Sequence, residues 1–69
     1  MTPLNAIIHL CDKRKQQKLY PFSASYPDVQ KLTGLSTAEL GSELRELLNQ
    51  DKIKWYRNVN QITYFVVVE

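Results

Sequence analysis

The sequence predicts an α+β fold of three helices followed by a two-stranded β-hairpin, in one domain over residues 1–69. Three observations carry this. Apolar residues recur at helical spacing from Leu4 to Cys11 and again from Leu40 to Leu48. Gly34 interrupts the middle of the chain, placed as a stop between a short helix and a longer one. From Ile53 onward the pattern changes to the period-two alternation of strands.

The elements follow in order. Thr2 can cap the first helix, and Pro3 suits its first position, where a missing N–H costs nothing. Leu4, Ile7, Ile8 and Cys11 form its apolar stripe. Lys13, Arg14, Lys15 and Lys18 close it, complementing the negative end of the helix dipole. Residues 19–25 read as a connector with room for one short strand, because Pro21 disfavours continued helix. The second helix begins near Ser25 or Tyr26, with Pro27 and Asp28 in its first turn. Val29 and Leu32 are expected to face inward. Ser36 and Glu39 make a capping box for the third helix, whose core stripe is Leu40, Leu44, Leu47 and Leu48. Asn49, Gln50 and Asp51 end it. Ile53 and Trp55 share the expected core face of the first hairpin strand. Residues 58–61 supply the turn, and Ile62, Tyr64, Val66 and Val68 share one face of the last strand.

Length and composition bound the rest. Sixty-nine residues allow one domain. A chain of this size buries only about 60% of the surface its unfolded form exposes, so good packing or a partner subunit is needed. The single cysteine excludes an internal disulfide. His9 and Cys11, two residues apart, point to different sides of a helix, so no metal site is expected. Without an orienting acid or an oxyanion hole they make no catalytic pair, and neither an enzyme nor a cofactor nor a small-molecule substrate is expected. A formal net charge of +2 is compatible with nucleic acid without arguing for it. The start of the chain has neither the basic lead of a signal peptide nor an apolar run long enough to span a membrane. With a free thiol, this predicts a cytoplasmic protein.

Residues 29–53 resemble the helix-turn-helix of winged-helix domains. Val29, Gln30, Leu32, Thr33, Gly34, Leu35 and Ser36 match the family's lead into its second helix of the pair. Leu40, Leu44 and Leu47 match the spacing within it. Lys52-Ile53 matches the step into the wing, although Asp51 or Lys52 stands where the family usually has glycine. The hairpin, and helix one before it, extend the likeness over most of the chain. The resemblance implies a three-helix core with a hairpin wing. It also implies binding to duplex DNA with helix three in the major groove and the wing on the backbone or minor groove. Some relatives in this fold use the scaffold for protein contacts instead.

Which residues would touch DNA follows from helix three. Stepping about 100° per residue with the leucines inward puts Ala38, Ser42, Arg45 and Asn49 outward, flanked by Glu39 and Glu46. The candidate contacts are Ser36, Thr37, Ser42 and Arg45, with Lys52, Lys54 and Arg57 on the phosphate backbone. Glu39, Glu43 and Glu46 oppose this by repelling phosphate, and a solvated exposed face explains the wing cations equally well. The reading is a DNA-binding transcription regulator or accessory factor. The alternative is a protein-interaction module using the acidic face of helix three or the last strand. That strand is apolar on both faces, so Phe65 and Val67 are expected to need cover, from helix one or the N-terminus, from a second copy in a homodimer, or from a protein partner.

Overall fold

The computed structural model describes residues 1–68. Its elements are α1 (Pro3–Gln16), β1 (Ala24–Ser25), α2 (Tyr26–Thr33), α3 (Thr37–Asn49), β2 (Ile53–Arg57) and β3 (Thr63–Val67). The three strands form one antiparallel sheet in the order β1-β3-β2. The expected three helices and hairpin are present, and the connector supplies the third strand.

Local chemistry explains the boundaries. The Asn5 N–H donates to Thr2 Oγ1 (3.3 Å), capping α1. The Asp28 N–H donates to Ser25 Oγ (3.4 Å), and the Ser25 hydroxyl donates to Asp28 Oδ2 (2.8 Å), so α2 begins in a closed local pair. Gly34 ends α2 at φ 68°, a left-handed conformation that costs a residue with a Cβ about 1–2 kcal/mol. The ends of α1 and α3 are built alike. The Leu19 N–H donates to Arg14 O and the Lys18 N–H to Lys15 O; likewise Lys52 to Leu47 O and Asp51 to Leu48 O. This is the Schellman pattern, whose left-handed position usually holds glycine. Here Lys18 (φ 57°) and Asp51 (φ 56°) occupy it. Between α1 and β1, Arg14 Nε donates to Pro21 O at 2.8 Å, and the Tyr20 and Phe22 rings stack 4.2 Å apart.

The core lies between the helices and one face of the sheet. Ala6, Ile7, Cys11, Val29, Leu40, Leu44 and Ile53 are buried there with Ala24 and Phe65. Within α1 the buried arc includes Ala6, which rotates the stripe and leaves Ile8 outside it, 37% exposed. On the eight-residue α2, Val29 and Tyr26 choose the packed side, so Leu32 lies at the margin and is exposed rather than inward.

The last strand differs most from expectation. β3 is the central strand, paired with β1 and β2, and not an edge. Its register places Ala24 and Trp55 beside Phe65, and Ile53 beside Val67. Phe65 and Val67 therefore face the helices, and Phe65 is only 4% exposed. Of the covers expected for these two residues, the chain's own helices supply that of Phe65, so its assignment to an interface with a second chain is corrected. Val67 is half-buried against the same core. Tyr64 and Val66 lie on the opposite face, where the Tyr64 ring stacks on that of Tyr56 with centroids 5.4 Å apart.

Candidate nucleic-acid interface

Strand alternation and helix rotation decide where the cations stand. On β2, Ile53, Trp55 and Arg57 share the inner face, while Lys54 and Tyr56 share the outer. Lys52 and Lys54 thus lie on the side of the strand away from Arg57. The three wing cations expected to act together are divided by the pleat. Lys52, Lys54 and Arg57 are all exposed, and β2 is an edge strand, so their charge also guards that edge against strand pairing.

On α3, the hydrophobic stripe fixes the rest of the surface. With Leu44 inward, Gly41 and Arg45 fall on the flank toward the wing, and Glu39 and Glu43 on the opposite flank. The structure bears this out in its concavities. Glu39 and Glu43 line a depression with Ala38, Ser42 and Leu35. Glu43 also faces Met1, Thr2 and Asn5 at the start of α1. Arg45 instead opens onto an open groove of about 440 Å³ between α3 and the inner face of the hairpin. Tyr26, Gly41, Leu44, Leu48, Trp55, Arg57, Thr63 and Phe65 complete its walls. Among the described residues that line it there is no carboxylate. Two guanidinium groups, 12 positions apart in sequence (57 − 45), open onto one space with an aromatic side chain.

Trp55 is the principal correction within the site. It shares the core face of β2 as expected, yet it is 53% exposed. The reason is that β2 is an edge strand, with no further strand beyond it to cover the indole.

The remaining expected contacts are partly engaged already. The Ser36 hydroxyl accepts the Glu39 N–H (3.2 Å) and donates to Glu39 Oε1 (2.9 Å), so it serves as the cap of α3. Gln30 Nε2 donates to Thr37 Oγ1 at 3.3 Å, tying α2 to the first turn of α3. Ser42 is exposed but sits among the glutamates. Of the seven candidates, Arg45 and Arg57 are the two that the structure brings together. Trp55 is the residue that sequence reasoning misplaced, since alternation gives its face and not its cover.

No cluster of three or more metal-ligating side chains occurs among the described residues. Burial raises the Cys11 thiol above its ordinary range, with the nearby Asp12 carboxylate acting in the same direction; the Val67 backbone and Arg14 oppose the shift. The thiol donates weakly to Phe65 O at 3.9 Å. It is a packed side chain of the core. No helix among the described residues is long and apolar enough to cross a membrane.

The chain matches no family model, no curated protein and no solved structure.

Proposed function

We propose that this chain is a winged-helix DNA-binding protein, a cytoplasmic regulator or accessory factor that contacts duplex DNA through α3 and the hairpin. The observation that supports it best is the shared groove of Arg45 and Arg57, free of carboxylates among the described residues. The resemblance of residues 29–53 and the element order agree with it. Glu39 and Glu43 stand on the other flank of α3, away from the groove, and Glu46, although it follows Arg45 in the helix, does not line the groove. Lys52 and Lys54 add positive charge behind the hairpin.

The test is a titration with mixed-sequence duplex at two salt concentrations. Affinity falls steeply with salt if phosphates are neutralised, and replacing Arg45 or Arg57 by Ala lowers the salt slope by about 0.9 each. Absence of binding at low salt, or binding indifferent to salt, removes the proposal.

A second reading is a winged-helix protein-interaction module. The acidic flank of α3, with Glu39, Glu43 and Glu46 all exposed, favours it. A basic partner surface would be its counterpart. In that case Glu43→Lys abolishes partner binding, while Arg45→Ala leaves it intact.

A further inference from the structure

The groove holds more than charge. Trp55 is 53% exposed, while Phe65, its neighbour on the adjacent strand, is 4% exposed. A large rigid aromatic side chain that is about half exposed therefore lines the same open groove as two arginines. Intact duplex DNA offers phosphates to the arginines, but its bases are stacked and present only their edges in the grooves. The face of an indole has no partner there. An unstacked base does have a matching π face, and its own phosphates suit flanking guanidinium groups.

Gly41 makes an independent case. It stands in the interior of a 13-residue helix, where glycine costs about 0.5–1 kcal/mol relative to alanine. A Cβ at this position would meet nothing within 4 Å outside its own helical turn. Packing therefore does not require glycine. Gly41 lines the same groove as Trp55 and adds no side chain to it, which leaves the groove open on the helix side.

We infer that the groove takes an unpaired nucleobase on Trp55, with its flanking phosphates on Arg45 and Arg57. The DNA preferred is then a duplex with an accessible unpaired base, at an overhang or a gap, over an uninterrupted one. This rests on the DNA-binding reading above. A cationic ligand is disfavoured by the arginines, and a purely apolar peptide would leave both guanidinium groups without counter-charge.

The experiment uses the full chain with two end-labelled DNAs: a blunt mixed-sequence duplex, and the same duplex with a short single-stranded overhang. Anisotropy measures affinity. Trp55 is the single tryptophan, so intrinsic fluorescence reports the groove directly. The overhang DNA is expected to bind more tightly and to quench Trp55, and the blunt duplex to bind without quenching. Trp55→Leu should abolish the preference, a loss of about 5- to 100-fold, and Trp55→Phe should keep part of it. Gly41→Gln fills the groove from the helix and tests the same point without touching the indole. It should remove quenching by the overhang while the protein still melts cooperatively. Equal affinity for both DNAs with unchanged fluorescence overturns the inference and leaves duplex binding standing. No anisotropy change with either DNA at low salt overturns both.

Discussion

Ser23 Oγ lies 2.9 Å from Tyr56 Oη, a hydrogen bond that spans the sheet from the start of β1 to the far edge strand β2. The strands it joins are not neighbours, since β3 runs between them. Ser23 is 4% exposed, so its hydroxyl depends on this partner. Tyr56→Phe removes the phenol and strands a buried hydroxyl, at a cost of about 1–3 kcal/mol. Removing both groups, with Ser23→Ala added, should cost less than the sum of the two single changes. Urea denaturation of the four proteins in this cycle measures the coupling; additive costs would show that the bond contributes nothing.

Phe65 separates two pictures of the last strand. As a core residue of a central strand, it should not tolerate charge. Phe65→Lys is expected to abolish cooperative folding, and Phe65→Ala to cost about 3–5 kcal/mol. Circular dichroism melts read both. A Phe65→Lys chain that keeps its melt and only changes its mass in light scattering would return the residue to a surface between subunits.

The left-handed positions predict opposite responses to glycine. Lys18→Gly relieves an αL residue in the first Schellman turn, and a gain of about 0.5–1 kcal/mol is expected after allowance for the looser unfolded chain. Gly34→Ala introduces the same strain between α2 and α3, with a loss of similar size. Calorimetric melting temperatures should therefore move in opposite directions. A neutral Lys18→Gly would mean that the lysine gains compensating contacts.

Cys11 makes stability depend on alkaline pH. Burial favours the neutral thiol, so the folded-state pKa lies above the unfolded one. The native state then holds its proton where the unfolded chain has lost it. This contribution is fully present below the unfolded pKa and is lost as pH rises through the folded one. Other groups titrate in the same range, so the informative quantity is the difference between the parent and Cys11→Ala. Urea midpoints between about pH 7 and pH 10 should show the parent losing stability faster. Parallel curves would place the thiol in contact with water.

The helix boundaries were legible because their chemistry is local. Ser25 with Asp28, Ser36 with Glu39, and Gly34 each act within a few residues, so the chain announces them. The glutamate flank of α3 was also legible, since it follows from a rotation about a known stripe. The inner face of β3 was not. Residues 64–68 are apolar at every position, and only the pairing of β3 between β1 and β2 decides that Phe65 goes in. The exposure of Trp55 was hidden for a related reason. It depends on β2 forming the edge of the sheet, which the alternation within β2 does not determine. The meeting of Arg45 with Arg57 is likewise a product of how the hairpin folds back on α3.

The division of charge across α3 has a kinetic consequence. Arg45 and the pair Glu39 and Glu43 occupy opposite flanks of a cylinder about 10 Å across, a separation comparable to the screening length of about 8 Å in physiological salt. A polyanion at that range pulls on one side of the helix and pushes on the other. The molecule should experience a torque as well as an attraction, turning before it touches. Wrongly oriented encounters would be rejected rather than trapped, so the glutamates would narrow the angles of approach that succeed. Neutralising them should raise the association rate and its tolerance of orientation, and dilution of the salt should enlarge the difference.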